Sequence, residues 1–350
     1  MYFGALPFTL ATACYNLHLE WFEGIQKLDA GDYLHRVMAC NSCHKSIQSL
    51  TTVNNHEYYE NLLFATKLRS ENMTATNNPV VVVAGGSRGL GLRIADGFGK
   101  ANSAKVVVLA RDKQRLAAAV EELKESLAGI VDQDPLGYDV DATDESAVTQ
   151  VVQTIVKQHG RIDVWVNAVG KSTRVDFMST GTEAYRELME QNFFASLTCS
   201  LAVLPELAKT SGSLVNIGSL ASKTAWPFVA PYVTGKHALA GFCNQLRLEG
   251  PSNVHYLHVC TGPIQRDGNE QRYASESENL PEHASAPGAG APVKGIHPDL
   301  LAKKIVIACT QRKPELVMPF RSRFLFSIQQ MFPSVGDRIL RQLSRTKKSS

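Results

Sequence analysis

The chain of 350 residues is 44% hydrophobic and 20% charged, which excludes a disordered or fibrous protein and allows one large domain with additions or two modest domains. Its net charge of +3 is too small to indicate a nucleic-acid partner. Five of the seven cysteines lie far apart in apolar surroundings, as reduced core thiols do, so we expect a cytoplasmic protein.

Residues 1–78 show weak periodicity and are interpreted as an N-terminal extension and linker. The first apolar stretch, Met1–Tyr15, lacks basic residues and contains Pro7, so it is not expected to act as a secretory signal. No stretch of the sequence is apolar over the length of a bilayer span. These features agree with the predicted cytoplasmic location.

Within this extension, Cys40, Cys43 and His44 fit the Cys-x-x-Cys-His pattern of covalent haem attachment. Two thiols and an adjacent imidazole would also suit a zinc site or a redox dithiol. The motif is short and no export signal precedes it. We therefore favour an incidental cluster over haem or a dithiol site.

From residue 79 to residue 318, short apolar runs alternate with amphipathic stretches. The predicted strands are Val80–Ala84, Lys105–Ala110, Leu136–Val140, Ile162–Asn167, Ser213–Gly218, Val254–Cys260 and Glu315–Met318. The predicted helices include Leu116–Leu127, Ser146–Gln158 and Tyr185–Leu207, the last opened by a capping box at Thr180–Glu183. Continuous apolar strands that alternate with helices predict an α/β fold, with a doubly wound parallel sheet of about seven strands and helices on both faces.

Two segments near the end of the chain depart from this alternation. Residues 266–297 follow the sixth strand, are rich in Gly, Ala, Pro and Glu, and are predicted to form a loop that covers the substrate. Residues 319–350 form a C-terminal extension, predicted as two short amphipathic helices broken at Pro333.

The C-terminal extension is basic and apolar. Its seven basic residues, against the single acid Asp337, are Arg321, Arg323, Arg338, Arg341, Arg345, Lys347 and Lys348. Its apolar residues fall into two stripes, the first of Phe320, Phe324, Leu325, Ile328, Met331 and Phe332 and the second of Val335, Ile339, Leu340 and Leu343. This combination leads to the hypothesis of contact with an anionic membrane face. Alternatively, the stripes pack on the main domain or on a sister subunit.

The first strand leads into a glycine-rich turn and then a helix. Its spacing is Gly-x-x-x-Gly-x-Gly, at Gly85, Gly89 and Gly91. One glycine takes the tight turn, another allows close approach of a diphosphate, and the helix N-terminus offers free N–H groups to it. The turn is therefore predicted to bind a nucleotide cofactor, through the residues Gly85, Ser87, Arg88, Gly89, Leu90 and Gly91.

The end of the second strand indicates which nucleotide is bound. An NAD site typically has an acidic residue there, which accepts hydrogen bonds from the ribose hydroxyls. This sequence has Arg111 instead, and Arg88 lies in the glycine turn. Two guanidinium groups suit a ribose 2′-phosphate, so we predict NADP(H). Asp112 follows Arg111 and keeps NAD(H) open as the alternative.

A second motif lies later in the chain. Ser219 follows the fifth strand, and Tyr232 and Lys236 come after it with a spacing of i and i+4 on one helix face. An ammonium near a phenol lowers the pKa of the phenol toward working pH. Such a tyrosine can exchange a proton with a carbonyl oxygen or an alcohol, and the serine hydroxyl can orient that oxygen.

From about Val80 to Met318, these motifs resemble the short-chain dehydrogenase/reductase superfamily. The resemblance implies a Rossmann-like fold and hydride transfer between NADP(H) and a carbonyl or secondary alcohol. Tyr232 would be the general acid/base, and Ser219 would contact the substrate oxygen. Lys236 would bind the nicotinamide ribose and lower the pKa of Tyr232, and Asn192 would hold a water that links Lys236 to solvent.

The resemblance also implies further contacts and an assembly. The remaining cofactor-binding residues would be Asp139, Val140, Asn167, Ala168, Gly170, Tyr232, Lys236, Gly262 and Ile264. A homodimer or homotetramer would form through the two long helices, and no metal site is predicted. The alternative is a nucleotide-binding scaffold or sensor with little turnover, whose first 78 residues recruit partners.

The sequence says least about the identity of the substrate. Ser172, with Thr173, follows the fourth strand, and Trp226 and Phe228 lie between Ser219 and Tyr232. We expect Ser172, Trp226 and Phe228 to line the substrate pocket, and the two aromatic rings suggest an apolar small-molecule carbonyl or alcohol. The rings could equally be packing residues.

Overall fold

The computed structural model describes residues 78–265, 273 and 276–345. The predicted N-terminal extension up to residue 77 lies outside the described residues, and so does the Cys40, Cys43 and His44 motif.

Seven parallel strands form one sheet in the order β3-β2-β1-β4-β5-β6-β7. The strands are β1 (Val80–Ala84), β2 (Lys105–Ala110), β3 (Leu136–Asp139), β4 (Val164–Asn167), β5 (Ser213–Ile217), β6 (His255–Thr261) and β7 (Glu315–Met318). The strand order reverses between β1 and β4, and ligands of doubly wound sheets bind beyond the carboxyl ends of the strands at this point. The predicted Rossmann-like fold is confirmed, with strand ends that move by up to two residues.

Helices cover both faces of the sheet. They are α1 (Gly89–Asn102), α2 (Lys113–Leu127), α3 (Glu145–His159), α4 (Thr182–Met189), α5 (Ala195–Thr210), α6 (Ala230–Glu249), α7 (Pro298–Thr310), α8 (Ser322–Met331) and α9 (Pro333–Arg345). Val81 and Val83 of β1 pack in one core with α1, α2 and α7, whereas Val80 and Val82 pack in a second core with α3 and α5. Because both faces of β1 are buried, its sequence is continuously apolar.

The helical stretch predicted at Tyr185–Leu207 is divided. A π-helical segment, Glu190–Phe194, joins α4 to α5. Such a segment inserts one residue into a helix and shifts the side chains that follow, which a 3.6-residue period does not reveal. The segment contains Asn192, whose side chain is completely buried.

The capping box predicted at Thr180–Glu183 is wrong. The N-cap of α4 is Gly181, and no side chain caps this helix. Thr180 donates its hydroxyl to the carbonyl oxygen of Asp176, and Ser179 N donates to the Asp176 carboxylate at 3.0 Å. These local hydrogen bonds form a turn that competes with the capping arrangement.

The C-terminal helices α8 and α9 meet at the predicted break, because α8 ends at Met331 and α9 begins at Pro333. The predicted first stripe does not pack on the main domain. The buried side chain of α8 is Phe326, which packs with Cys260 and Val317. None of the helices in the described ranges combines the length and the apolar character that a bilayer span requires.

Candidate active site

The turn between β1 and α1 fits a diphosphate. Gly85 has a φ of +83°, and a Cβ on it would lie 2.9 Å from the backbone of Ala168 and Val169, so only glycine allows this approach of the two strands. No side chain caps α1, and its first turn contains no acid. Its first N–H groups are therefore suited to an anion. The other predicted residues of this turn are Ser87, Arg88, Gly89, Leu90 and Gly91.

Charged side chains are paired at the carboxyl ends of β2 and β3. Arg111 Nη1 lies 3.4 Å from Asp141 Oδ2, and Lys113 Nζ lies 3.1 Å from Asp139 Oδ2. Burial raises the pKa of Asp141, but hydrogen bonds from Thr143 and the charge of Arg111 outweigh it and hold this pKa below its usual value. Asp141 therefore competes for Arg111, which the sequence analysis did not consider.

Val140 continues β3 by donating its backbone N–H to Ala110 O at 3.0 Å. This bond places Asp139 and Val140 beside the end of β2. Both are therefore at the same edge of the sheet as the glycine turn.

The side chain of Asn167 is engaged within the protein. Its Nδ2 donates to Asn216 Oδ1 at 2.8 Å and to Ser200 Oγ at 3.0 Å. Its Oδ1 accepts a hydrogen bond from Trp165 Nε1 at 2.8 Å. These bonds join β4 to β5 and α5, so the backbone of Asn167 and Ala168, rather than the amide side chain, faces the turn after β1.

Ser219, Tyr232 and Lys236 come together beyond β5. Ser219 caps a short 3-10 turn by accepting a hydrogen bond from Ala221 N at 3.1 Å, and its hydroxyl is near enough to the Tyr232 phenol to lower the pKa of that phenol. Lys236 lies one turn further along α6. Its Nζ donates to Ile217 O at 2.9 Å and lies 5.9 Å from the centre of the Tyr232 ring.

The pKa of Tyr232 moves in the direction opposite to that expected from the sequence. Burial raises it, and the hydrogen bond to Ser219 and the charge of Arg174 offset this only in part. Lys236 directs its ammonium group at Ile217, and burial lowers its own pKa to about 8. In this arrangement the phenol is favoured over the phenolate.

Asn192 completes the predicted catalytic set. Its Nδ2 donates to Leu188 O at 2.9 Å and to Lys171 O at 2.8 Å. Its Oδ1 is consequently turned toward the α-carbon of Gly170, which Lys236 Nζ also approaches. The four predicted catalytic residues thus lie together at the carboxyl end of the sheet.

The chain after β6 stays close to the sheet before it enters the predicted substrate loop. Gly262 N donates to Met318 O at 2.8 Å, and Ile264 forms a parallel bridge with Ile296. Gly262 and Ile264 are thereby placed beyond the carboxyl ends of β6 and β7, on the sheet edge where the cofactor was predicted.

Two of the three predicted pocket residues contact the described part of the predicted substrate loop. Trp226 Nε1 donates to Ala289 O at 2.9 Å, and the ring of Phe228 lies 5.7 Å from that of His283. The third, Ser172, interacts with a side chain that was not predicted, Arg174. The aromatic pair therefore packs beneath this loop.

Three residues near the predicted site, Arg174, Tyr273 and Glu276, were not predicted from the sequence. Arg174 is only 4% exposed, and its guanidinium lies 3.9 Å above the centre of the Tyr273 ring. Glu276 accepts a hydrogen bond from the hydroxyl of Thr173 at 3.0 Å. Arg174 and Tyr273 are near enough to Tyr232 to affect its pKa. A lone arginine in a polar loop carries no periodic signal that could have revealed them.

One group of potential metal ligands occurs among the described residues. Atoms of His258, Cys260 and Glu315 lie within 4.8 Å of one another. However, Glu315 is already bound to Lys223 at 2.7 Å and to Arg323 at 3.3 Å. Two cations on the carboxylate oppose a divalent ion, so we interpret Glu315 as the link between the Ser219 turn and α8.

The short chain dehydrogenase family model matches residues 79–277. The chain belongs to this family. It is therefore an oxidoreductase built on the Rossmann-like fold described above, and hydride transfer is the general chemistry of such proteins.

Relatives of this short-chain dehydrogenase include a Dehydrogenase/reductase SDR family protein 7-like from Anopheles gambiae, 29% identical over 74% of this chain and 81% of the relative. A Dehydrogenase/reductase SDR family member 7B from Danio rerio is 30% identical over 68% of this chain and 76% of the relative.

Among solved structures, a variant of actinorhodin polyketide ketoreductase with NADPH has a TM-score of 0.60 and 24% identity, over 70% of this chain and 97% of that one. An alcohol dehydrogenase from Thermococcus sibiricus, complexed with 5-hydroxy-NADP, has a TM-score of 0.56 and 21% identity, over 69% and 95%. The two structures share the fold.

Proposed function

We propose that this protein transfers a hydride between NADP(H) and a carbonyl or secondary alcohol, with Tyr232 as the group that exchanges the proton. The proposal depends on the side chains of Ser219 and Tyr232, which lie near enough for Ser219 to lower the pKa of Tyr232. Lys236 follows one turn along α6, and Asn192 lies beside it. This arrangement places a proton donor and a second hydroxyl where one substrate oxygen can meet both.

The residues fit the cofactor that the family implies. The glycine turn and the N-terminus of α1 would hold the diphosphate, Asp139 and Val140 the adenine, and Lys236 the nicotinamide ribose. When bound, the nicotinamide supplies or accepts the hydride.

The proton would come from Tyr232. Because a phenol is neutral near pH 7 and burial raises the pKa of Tyr232 further, the residue holds the proton that reduction of a carbonyl requires. Ser219 would orient that oxygen and stabilise the phenolate that remains. Lys236 and Asn192 would then return a proton from solvent, since Asn192 Oδ1 and Lys236 Nζ both lie beside Gly170.

The preference for NADP(H) over NAD(H) is part of the proposal. It is supported by Arg88 in the glycine turn and Arg111 after β2, where an acid would be expected for NAD. The ketoreductase and the alcohol dehydrogenase named above were solved with NADPH and an NADP derivative, which supports a nicotinamide cofactor in general. Steady-state Km values for NADPH and NADH test the preference, and a lower Km for NADH would contradict it.

The substrate class is tested with a panel of aliphatic and aromatic ketones and the matching secondary alcohols. We expect consumption of NADPH with apolar ketones, because Trp226 and Phe228 supply apolar surface near the site. The scaffold or sensor alternative predicts cofactor binding without turnover on the whole panel. The same panel applied to Tyr232→Phe identifies any background reaction.

We propose a cytoplasmic homodimer or homotetramer. Leu201 on α5 and Leu248 on α6 are 58% and 80% exposed, which supports an interface on the two long helices. The cysteines Cys199, Cys243, Cys260 and Cys309 are free thiols, which supports a reducing location. Light scattering of the wild type and of Leu201→Glu tests the assembly, and an unchanged mass for the variant would contradict this interface.

We further propose that α8 and α9 contact an anionic membrane surface. Of the fourteen exposed large apolar side chains in the described residues, seven lie between residues 320 and 343, which far exceeds a scatter of single side chains. They are Phe320, Phe324, Ile328, Met331, Phe332, Val335 and Leu343. On α8 this stripe lies opposite the buried Phe326, so the helix has a second apolar face that is directed away from the main domain.

Charge supports a lipid partner rather than a sister subunit. On α9, Val335 and Leu343 share a face, Arg338 lies at one edge of it and Arg341 lies on the opposite, polar side, a distribution of charge that suits a helix in the plane of an anionic interface. We expect the protein to sediment with vesicles that contain phosphatidylserine and less with pure phosphatidylcholine. Phe324→Asp should abolish sedimentation, and Ile130→Asp, on a distant surface turn, should not. Absence of sedimentation, or a halved mass for Phe324→Asp in solution, would contradict the lipid proposal.

A further inference from the structure

The guanidinium of Arg174 joins two segments that are far apart in the sequence. Arg174 follows β4, and its Nε donates to Ala284 O while its Nη2 donates to Ala286 O at 3.0 Å. Both carbonyls belong to residues 276–291, which we call the lid segment. Thus one buried side chain holds the described part of the predicted substrate loop in place.

The same side chain also holds its own segment. Its Nη1 donates to Thr173 O at 2.9 Å and to Ser172 Oγ at 3.2 Å. Together with the bonds to Ala284 and Ala286, these bonds engage four of the five N–H donors of the guanidinium group, and its face lies over the Tyr273 ring. A lysine has a single nitrogen and cannot span the same set of carbonyls.

A carboxylate of the lid segment completes this connection. Glu276 Oε2 accepts hydrogen bonds from the backbone N–H of Arg174 at 2.9 Å and from the hydroxyl of Thr173 at 3.0 Å. Burying a guanidinium is costly, and charge-assisted hydrogen bonds together with a nearby opposite charge offset that cost. The charge is retained, since an arginine keeps its proton in proteins even where burial lowers its pKa.

Two further contacts of the lid segment involve aromatic side chains. Trp226 donates its indole N–H to Ala289 O, and Phe228 packs on His283. Phe228 O in turn accepts from Val175 N at 3.0 Å, directly after Arg174. The lid segment is therefore held from both sides of the pocket, but a charge is supplied from the Arg174 side.

We propose that Arg174 is a positioning residue that fixes the lid segment over the substrate pocket and keeps a positive charge beside Tyr232. This inference rests on the proposed role of Tyr232 for its second part only. Because four of the five donors of Arg174 are engaged by lid carbonyls and its own segment, little hydrogen-bonding capacity remains for a substrate carboxylate or phosphate. The pocket should consequently select neutral carbonyl compounds.

The kinetic test separates the two effects. Arg174→Met removes both the hydrogen bonds and the charge, Arg174→Lys keeps a charge, and Trp226→Phe removes one neutral lid contact. All three should raise KM for the best neutral ketone, Arg174→Met by about tenfold or more, with the Kd for NADPH within about twofold of wild type. Arg186→Met, an exposed change on α4, is the matched control and should alter neither value.

The pH dependence of alcohol oxidation identifies the charge. Alcohol oxidation needs the phenolate of Tyr232. Loss of a nearby cation should therefore move the acidic limb of the pH–rate profile to higher pH, by about half a unit or more. The shift should appear in Arg174→Met but not in Trp226→Phe. Arg174→Met with the KM and the pH limb of wild type would overturn the proposal.

Proteolysis tests the positioning without any turnover. The exposed residues Glu278 and Glu282 lie in the lid segment, so glutamyl endopeptidase should cut there about tenfold faster in Arg174→Met than in wild type. Glu276→Gln should give a smaller increase and keeps the test open if Arg174→Met does not fold. An equal cleavage rate in wild type and both variants would overturn the proposal.

A wild type without turnover on any ketone would refute the proposed function, whereas the cleavage rates would still decide whether Arg174 holds the lid segment.

Discussion

Asn192 and Lys236 both place a side-chain atom against Gly170. A Cβ on Gly170 would lie 2.8 Å from Asn192 Oδ1 and 3.3 Å from Lys236 Nζ. The amide of Asn192 cannot retreat easily, because its Nδ2 is bound to two backbone carbonyls. The absence of a side chain at residue 170 thus leaves room for both the amide oxygen and the ammonium beside its α-carbon.

This relationship predicts the effect of Gly170→Ala. The added methyl group should separate Asn192 from Lys236 and lower kcat by about tenfold or more, whereas the Kd for NADPH changes less. Stopped-flow binding and steady-state turnover measure the two values. Gly241→Ala on α6 is the control, because a Cβ there meets nothing within 4 Å. Equal effects of the two substitutions on kcat would contradict the interpretation.

The buried ammonium group of Lys236 should lower the stability of the folded protein at neutral pH. Its pKa is about 8 in the folded chain against 10.5 for a free side chain, because burial disfavours the ammonium. Between these values the unfolded chain binds the proton that the folded chain lacks, so the free energy of unfolding rises with pH over this window. Below about pH 8 the full cost of the buried charge is present.

Lys236→Met should therefore raise the Tm at about pH 7, and its advantage over wild type should shrink as the pH approaches about 10. Thermal unfolding across this range measures the difference. The exposed Lys209→Met on α5 provides the comparison and should show no such trend. A Tm difference that is independent of pH would show that the charge of Lys236 is not responsible.

The side chain of Asn167 should stabilise the folded protein. Asn167→Ala would leave Trp165 Nε1 without its acceptor and Asn216 Oδ1 without a donor, both inside the core. Unsatisfied buried groups of this kind cost about 2–3 kcal/mol of unfolding free energy, which urea denaturation can measure. Asn253→Ala removes an exposed asparagine with hydrogen bonds of its own and should cost less than about 1 kcal/mol. The account of Asn167 is wrong if the two variants are equally stable.

Cofactor preference should depend on Arg111 and on its partner Asp141. Arg111→Ala should raise the Km for NADPH by about tenfold and leave that for NADH nearly unchanged, because only NADPH carries the 2′-phosphate. Asp141→Asn removes a competitor for the guanidinium and should lower the Km for NADPH. Parallel changes for both cofactors would place Arg111 away from the 2′-phosphate.

Features carried by local patterns could be read from the sequence. The seven parallel strands, the glycine turn from Gly85 to Gly91 and the Tyr232 and Lys236 pair each depend on residues close together in the chain. Their spacing follows directly from strand and helix geometry.

Features that depend on distant partners could not be read in this way. Arg174 meets Ala284 across 110 positions, and nothing in either segment indicates the other. The π-helical segment around Asn192 interrupts a helical period without breaking the helix. On α8, periodicity located an apolar stripe but could not tell that Phe326, on the opposite face, is the side chain that is buried.

The proton-donating role of Tyr232 is tested most directly by a single turnover. Protein and NADPH are mixed with the best ketone of the panel, and NADPH absorbance is followed for wild type and Tyr232→Phe. We expect the rate of NADPH oxidation in Tyr232→Phe to fall by about a thousandfold, with NADPH binding retained, because only the phenolic hydroxyl is removed. Oxidation of NADPH at the wild-type rate by Tyr232→Phe would contradict the proposed mechanism.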